Sequence, residues 1–467
     1  MNSLKYLIIL LFLLLLYISK QNKKVYVGCL YSLDGPYAIM EQPMKQMFNE
    51  AIKYATKKFY LDADIDIIIL CKEMNSKNEN YVQWMEECAT KYKAKYFFGC
   101  WYSDIKKLFS PLLEKYNLRY FWCNQNEGFN TDRNITFYGA TPNQLSIPGV
   151  TYFLSKYGNT NKRIYLIGRW SWYSVVHNNI IRKHIIKTWP QYEKLIVYKY
   201  FEDIDGIDYS IYAKNIIDNN MSGALIITSL GGNRHFKFYD ELSKYYAKVF
   251  PYDITLIKKS FNILENVDKL VNNTKTANSI GLRKKLSKIY PLYCVGLTEH
   301  KFLQDYGELS YDIETGTNFT LDIIENNIYI RNPSDPDIIK DKKFLLYIKK
   351  KYKIPISNEM FGTFLGCLFF AKTLKHMVDN NKDVNDVNIY DIYKYTNINT
   401  VTGNHIMEKN NHTTRPFYYC RIKDNGKFEI LYDSYKMISA DPYANNIIFD
   451  DIDINANGLN KEYMFIV

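Results

Sequence analysis

The chain has 467 residues and carries 60 Lys and Arg against 49 Asp and Glu, a formal net charge of +11. Its length fits two or three domains better than one, and its content of 47% apolar and 23% charged residues excludes wholesale disorder and the collagen and coiled-coil classes. The positive charge is spread along the chain without a zinc-knuckle or RNA-binding signature, so we predict no nucleic-acid partner.

The first twenty residues are predicted to be a targeting segment. Lys5 precedes an uninterrupted apolar run at residues 6–18, and a polar, basic stretch follows the run. This length suits the central region of a signal peptide and is short for a membrane-spanning helix. No other segment is apolar enough to cross a bilayer, which excludes a polytopic permease. We expect a secreted, extracytoplasmic protein; cleavage of the segment and its retention as a membrane anchor both stay open.

Eight cysteines stand at positions 29, 71, 88, 100, 123, 294, 367 and 420 and include no C-x-x-C pair. A zinc or thioredoxin-type site is therefore not indicated. Cys29, Cys71 and Cys100 lie in or at the ends of predicted strands, where a buried thiol behaves as a small apolar side chain. One or two disulfides are compatible with the sequence, but the spacing fixes no pairing.

From residue 24 onward, short apolar runs alternate with helical stretches. Strands are predicted at 25–30, 65–70, 95–100 and 119–123, and helices at 43–57, 81–91 and 103–116. A second series has helices at 145–157, 174–188, 209–219 and 234–248 and strands at 163–168, 194–199, 224–229 and 291–296. Strands that are apolar along their whole length favour parallel sheets covered on both faces. We predict an α/β fold with two doubly wound parallel-sheet lobes.

The remaining segments interrupt or follow these two series. The Asn- and Lys-rich residues near 250–290 predict a surface insert, and residues 316–324 are predicted to be extended. Helices are predicted at 342–351, 358–378 and 387–395, followed by a β-hairpin around the turn Lys423–Gly426. Residues 437–467 form an acidic, aperiodic tail.

Candidate ligand-binding residues follow the predicted strands, because ligands gather at the carboxyl ends of parallel strands. Aromatic, hydroxyl, amide and glycine residues at these edges are typical of a small-molecule cleft. For any single residue of this set, the alternative to ligand binding is a structural role, either capping a loop or packing at the rim. The residues at the edges are Ser32, Asp34, Gly35, Trp101, Tyr102, Ser103, Asn124, Gln125, Asn126, Glu127, Trp170, Trp172, Tyr173, Ser229, Gly231 and Gly232.

Signals of catalysis are weak. The sequence has no G-x-S-x-G elbow, no Walker loop, no H-E-x-x-H and no G-x-G-x-x-G, and its seven His residues are scattered. We therefore predict no enzyme activity, no catalytic residues, no metal site and no cofactor.

Five segments, in chain order, carry a resemblance to a known family. They are VGCLYSLDGPYA at 27–38, FFGCWYSD at 97–104, NEGFN at 126–130, FYGATPNQ at 137–144 and GNHIMEKNNHTTRPFYYCRIKDNG at 403–426. In order and spacing they resemble the urea- and short-amide-type solute-binding proteins of ABC transporters, relatives of the branched-chain amino acid binders within the type I periplasmic-binding-protein superfamily. The resemblance spans about residues 24–436.

The resemblance implies two lobes joined by a three-crossover hinge that close on a ligand and leave it chemically unchanged. Lobe 1 would comprise 24–141 and 318–400, and lobe 2 would comprise 142–317 and 401–436. Family ligand positions fall on Ser103, which would bond an amide or carboxylate oxygen. The others fall on Trp122, Asn124, Gln125, Tyr173 and the loop at 229–232.

Two departures from the family pattern affect the ligand. Asn126 stands where the family has an aromatic residue, and Arg169-Trp170-Ser171 replaces a small polar stretch at the cleft mouth. Trp170 and Trp172 would fill the pocket or stack on a different ligand. We predict binding of an amide, urea or amino-acid-like molecule, with an ABC permease or a membrane signalling protein as partner. The alternatives are a membrane-anchored, receptor-like sensor and a surface interaction protein that has lost its ligand site.

Overall fold

The structure is a computed structural model of the chain. It describes residues 22–35, 38–75, 77–129, 132–158, 161–201, 208–231, 234–250, 286–297, 313–327, 329–386, 397–423 and 426–442. The predicted targeting segment, most of the predicted insert, the predicted helix at 387–395 and most of the tail lie outside these ranges. None of the helices in these ranges is both long enough and apolar enough to cross a bilayer.

Fourteen strands are present among the described residues. They are β1 (Lys23–Leu30), β2 (Ile65–Leu70), β3 (Tyr96–Gly99), β4 (Arg119–Trp122), β5 (Ile135–Phe137), β6 (Ile164–Arg169), β7 (Ile196–Phe201), β8 (Leu225–Ser229), β9 (Leu292–Cys294), β10 (Glu314–Thr317), β11 (Asn397–Thr400), β12 (Gly403–Ile406), β13 (Tyr418–Ile422) and β14 (Phe428–Asp433).

The α-helices of the described ranges are α1 (Ala38–Lys58), α2 (Asn78–Lys91), α3 (Ile105–Lys115), α4 (Ser146–Tyr157), α5 (Trp172–Thr188), α6 (Ser210–Asn219), α7 (Arg234–Val249), α8 (Leu321–Glu325), α9 (Pro336–Tyr352) and α10 (Asn358–Asp379). Two 3₁₀ helices, Pro142–Gln144 and Pro190–Leu195, precede α4 and β7.

The described residues divide into two compact units. Unit 1 draws on residues 1–123, 132–138 and 362–398, and unit 2 on residues 124–131, 139–361 and 399–467. The lobe boundaries implied by the resemblance stay a prediction.

Unit 1 contains a five-stranded sheet in the order β2-β1-β3-β4-β5, with every pair of neighbours parallel. Apolar side chains cover both faces of this sheet. On one face, Met85 of α2 and Phe109 of α3 join the cluster around Phe97. On the other face, the rings of Phe48 in α1 and Phe98 lie 4.8 Å apart. The continuous apolar strands therefore reflect burial on both sides.

Unit 2 contains a seven-stranded sheet in the order β14-β13-β10-β9-β8-β6-β7. The strands from β10 through β7 are parallel, whereas β13 and β14 pair in antiparallel fashion at one edge. Side chains of α4 and α5 pack over β6 and β8 in one cluster. In addition, β11 and β12 form a small two-stranded sheet.

Two local predictions are corrected by the structure. Residues 316–324 are extended only through Thr317, and the chain then forms α8. The side chain of Thr320 caps this helix by accepting the backbone N–H of Asp322, a local bond that favours a helix start over an extended chain. The prediction also missed the three-residue strand β5, because so short a run has no clear periodicity.

Candidate functional site

The carboxyl end of β3 carries three predicted ligand residues in succession. Trp101, Tyr102 and Ser103 are each half-buried and occupy the connection between β3 and α3. The backbone N–H of Lys106 bonds the carbonyl of Ser103 at 3.3 Å, so Ser103 stands at the beginning of α3. This edge presents two aromatic rings and a hydroxyl group from one short loop.

Glu41 of α1 fixes the backbone of this loop. Its carboxylate accepts the backbone N–H of Trp101 at 2.6 Å and the backbone N–H of Ser32 in the loop after β1. The hydroxyl of Tyr81 donates to both of its oxygens, at 3.0 and 2.8 Å. Burial raises the pKa of Glu41, although these donors lower it. One buried side chain therefore joins the loops after two neighbouring strands.

Gly99 is required just before this loop. Its φ is +118°, and a Cβ at this position would lie 2.6 Å from the carbonyl carbon and oxygen of Leu30 in β1. Backbone atoms cannot move aside as a flexible side chain does, so β1 and β3 approach this closely only with glycine here.

Trp122, also predicted to contact a ligand, lies within the core of unit 1. Its side chain has no exposed surface and belongs to the same cluster as Phe109 and Phe137. The ammonium group of the buried Lys106 lies 4.3 Å from the centre of the Trp122 ring, a cation–π contact. Trp122 therefore packs against α3 within the core of unit 1.

In unit 2, the predicted residues Gln125 and Tyr173 lie together. The Gln125 amide nitrogen donates to the Tyr173 hydroxyl at 3.0 Å and lies 3.5 Å from the carbonyl oxygen of Gly296. Gly296 has φ +66°, and a Cβ there would lie 2.4 Å from the Gln125 amide. Asn124, the preceding candidate, is buried. The edge of unit 2 thus has an amide and a phenol in contact, with a glycine beside them.

A buried histidine lies behind Tyr173. The rings of Tyr173 and His177 are 4.3 Å apart, and His177 Nδ1 lies 2.8 Å from the Ser146 hydroxyl. Burial lowers the pKa of His177 to about 4, while the nearby carboxylate of Glu127 opposes this shift. Burial also raises the pKa of Tyr173. Both side chains are therefore neutral hydrogen-bonding groups near pH 7.

Trp170 stacks within its own unit. Its ring lies 4.7 Å from that of Tyr200 at an interplanar angle of 27°, and Tyr200 in turn stacks on Tyr198. The half-buried Trp170 therefore has one face on β7, so only its remaining surface is available to a ligand.

The loop after β8 is held by a second buried histidine. The backbone N–H of Gly231 donates to His235 Nε2 at 3.0 Å, so Nδ1 carries the proton and donates to Thr228 Oγ1 at 2.6 Å. Burial, together with the positive charges of Arg234 and Arg169, lowers the pKa of His235 to about 3. Ser229 is fully buried and bonds Asn178 Oδ1 at 3.0 Å. Gly231 has φ +74° and open space where a Cβ would stand.

Sequence reasoning missed Glu41 and His235, which position the loops in the two units. Both leave the same signal: a polar residue on the apolar stripe of an amphipathic helix. In α1 the buried set includes Met40, Glu41 and Met44, and in α7 it includes His235 and Phe238. Across the described residues, no group of three or more His, Cys, Asp or Glu side chains could hold a metal ion.

Comparison with known proteins identifies the fold. A family model described as periplasmic binding protein domain matches residues 25–268. A solved solute-binding protein of an ABC transporter from R. palustris, in complex with benzoate, has 12% identity and a TM-score of 0.60, and the match covers 90% of this chain and 98% of that one. A second R. palustris solute-binding protein, in complex with 4-hydroxybenzoate, has 16% identity and a TM-score of 0.62, with 90% and 99% covered.

A third similar structure comes from Streptococcus pneumoniae. It is a branched-chain amino acid transporter substrate-binding protein in complex with isoleucine, with 12% identity, a TM-score of 0.60, and 88% of this chain and 99% of that chain covered. At such identities the likeness shows the fold. It confirms the predicted α/β fold with two parallel-sheet lobes and the resemblance to type I periplasmic binding proteins.

Proposed function

The chain belongs to the periplasmic-binding-protein family, and from that premise we propose that it is an extracytoplasmic solute-binding protein. It holds a small polar ligand, releases it chemically unchanged, and delivers it to an ABC-type permease. The proposal includes no catalytic step, no metal and no cofactor.

The observation that carries this proposal is the loop after β3. Its backbone is fixed by Glu41, whereas its side chains at Trp101, Tyr102 and Ser103 remain half-buried. A fixed backbone holds the hydroxyl and the rings in place before any ligand arrives, which lowers the entropic cost of binding. Half-buried aromatic and hydroxyl groups at a strand edge are the usual lining of a small-molecule site.

Unit 2 offers groups of the same kind. The Tyr173 hydroxyl accepts its bond from Gln125, so its own proton is oriented away from that partner and suits a ligand oxygen. Gly231 adds a position with open space at the neighbouring loop. A hydroxyl donor, an amide and aromatic surface fit a ligand with an amide or carboxylate group, as in short amides and amino acids.

Thermal-shift measurement on the purified protein tests the proposal directly. The compounds are urea, acetamide, aliphatic and branched-chain amino acids, and the benzoates that similar proteins hold. A ligand at 100 times its dissociation constant stabilises the folded state by about 2.7 kcal/mol. We expect at least one compound to raise the melting temperature in a saturable way. If none does, the solute-binding proposal fails and a surface interaction protein without a ligand site becomes the better explanation.

Whether the N-terminal segment is cleaved or retained determines whether the ligand is bound by a released protein or by one anchored to the membrane. We propose that the protein is extracytoplasmic, in keeping with the family. The intact mass of the protein recovered from its native membrane and soluble fractions would distinguish a released form from a form anchored by residues 1–20. A retained anchor would favour the receptor-like sensor over transport.

A further inference from the structure

Two cysteines end neighbouring strands of unit 1 at the same level. Strands β1 and β2 are parallel, and their register pairs Gly28 with Leu70. Cys29 and Cys71 are the next residues on each strand. Residues at matching levels of adjacent parallel strands point to the same face of the sheet. Their Cα atoms are about 4.8 Å apart, the spacing between neighbouring strands. That separation lies within the range that a disulfide spans.

The two thiols lie close enough for each to shift the pKa of the other. Both are present as free thiols, Cys29 buried and Cys71 exposed. Lys45 of α1 acts on both sulfur atoms through its positive charge. The neighbouring Cys29 thiol and the charge of Lys45 together lower the pKa of Cys71 to about 7. Cys71 is therefore a partly ionised, accessible nucleophile at neutral pH.

We propose that Cys29 and Cys71 form an intrachain disulfide when the protein meets a disulfide oxidant. The chemistry goes beyond ligand binding and does not depend on it, so the two proposals succeed or fail separately.

The reaction is thiol–disulfide exchange in two steps. The thiolate of Cys71 attacks one sulfur of the oxidant disulfide, forms a mixed disulfide, and releases the other half of the oxidant as a thiolate, which takes up a proton. The thiol of Cys29 then loses its proton and attacks the Cys71 sulfur, which releases the second half as a thiol. Two protein thiols are oxidised to one disulfide, and one oxidant disulfide is reduced to two thiols.

The bond would fasten an edge strand at the carboxyl end of the sheet. β2 is the outermost strand of its sheet, and the chain after Cys71 bonds the loop after β1 through Leu33 N–H to the Met74 carbonyl at 3.0 Å. A cross-link at Cys29 and Cys71 closes the chain segment that contains α1. The cross-link therefore reduces the conformational freedom of the unfolded chain. It also restrains the loop after β1, whose Ser32 N–H bonds Glu41.

Oxidised glutathione is the probe for this proposal. The purified full-length protein is incubated with it, the remaining thiols are alkylated in acid, and the unreduced digest is examined by mass spectrometry. We expect a linked peptide that joins the segments containing Cys29 and Cys71. We also expect a rise of several degrees in melting temperature, reversed by dithiothreitol. A lasting glutathione adduct on Cys71, or a link from Cys71 to Cys88, overturns the proposal.

Two variants provide matched controls. Cys71 is exposed, so Cys71→Ser retains the fold and should lose both the linked peptide and the oxidative rise in melting temperature. Cys88 is also close enough to act on Cys71 electrostatically, so Cys88→Ala tests whether it takes part. The Cys29–Cys71 peptide must form in Cys88→Ala as in the parent protein; its loss there contradicts the assignment.

Discussion

The carboxylate of Glu41 lies 2.6 Å from the backbone nitrogen of Trp101, 60 residues away in the chain. The second oxygen of the same carboxylate accepts the backbone N–H of Ser32. Two loops at neighbouring strand ends therefore depend on a single buried group with two acceptor oxygens. An amide in the same place has only one acceptor.

Glu41→Gln should destabilise the protein and disorder the loop after β3. The glutamine NH₂ group would face one of the two backbone N–H groups, and leaving a buried donor unsatisfied costs about 1–3 kcal/mol. Urea unfolding at neutral pH measures the free energy of unfolding. Glu79 is exposed on α2, so Glu79→Gln should have almost no effect. Equal losses in the two variants would show that the Glu41 contacts do not stabilise the fold.

The sequence predicted the regular part of the fold because its periodicity is strong. β1, β2 and α5 lie within two residues of their predicted bounds, and the apolar strands β3, β4 and β8 are buried on both faces as expected. The sequence failed where a single local bond decides the conformation, as at Thr320, whose side chain starts α8. Hydrophobic patterning carries no information about such a cap.

The candidate site was predictable only in part. A run of consecutive residues such as Trp101–Ser103 can be found from a strand end alone, and the structure keeps it half-buried at that edge. The residue that holds that loop cannot be found in this way, because Glu41 lies 60 residues before Trp101 in the chain. The family resemblance placed Trp122 among the ligand positions, yet its ring is fully buried and lies against the Lys106 ammonium group. Which face of a strand end meets the core depends on packing that the sequence does not record.

Ser103→Ala should weaken ligand binding without weakening the fold. Ser103 is half-buried, and the loss of one hydrogen bond to a ligand costs about 0.5–1.5 kcal/mol, roughly a two- to twelvefold rise in dissociation constant. Isothermal titration with the best compound of the thermal-shift screen measures the change.

Ser110→Ala is the matched control for that change. Ser110 lies on α3, just after the loop that contains Ser103, and its hydroxyl bonds only the carbonyl of Lys106 at 3.2 Å among the described residues. Its removal should therefore leave the dissociation constant unchanged. An unaltered constant in Ser103→Ala would place the ligand elsewhere.

Stability should fall as the pH drops below neutral, because three buried histidines resist protonation in the folded state. Burial lowers the pKa of His177 to about 4 and of His235 and His405 to about 3, whereas an unfolded histidine titrates near about 6.5. As the pH falls below that value the unfolded chain binds protons first. The stabilisation is therefore complete above the unfolded pKa and declines toward the folded one. Each histidine contributes about 1.4 kcal/mol per pH unit in that window.

His235→Gln isolates one of these contributions. Glutamine is neutral at every pH, so the slope of unfolding free energy against pH between about 6.5 and 4 should decrease by about 1.4 kcal/mol per unit. Urea unfolding at half-unit pH steps gives the slope. His376 is exposed near the end of α10, and His376→Gln should retain the parent slope. A parent slope in His235→Gln would mean that His235 takes up its proton at the same pH in the folded and unfolded states.

Gly296→Ala and Gly231→Ala separate backbone strain from the loss of a specific contact. Both glycines have positive φ, +66° and +74°, so each alanine costs about 1 kcal/mol of strain. The Cβ at 296 would also lie 2.4 Å from the Gln125 amide and 2.7 Å from the Tyr173 hydroxyl, whereas the Cβ at 231 meets nothing within 4 Å. These are ends of flexible side chains, so they swing aside cheaply, but their mutual hydrogen bond is lost.

We therefore expect similar small losses of stability in the two variants and a difference in binding. Gly296→Ala should weaken binding of the best ligand of the screen, because the Gln125 and Tyr173 side chains no longer keep their relative geometry. Gly231→Ala adds a methyl group to open space, so it weakens binding only if the ligand reaches that loop. Titration calorimetry with Gln125→Ala in parallel completes the comparison. If Gln125→Ala binds as tightly as the parent protein while Gly296→Ala does not, the pair is not part of the site.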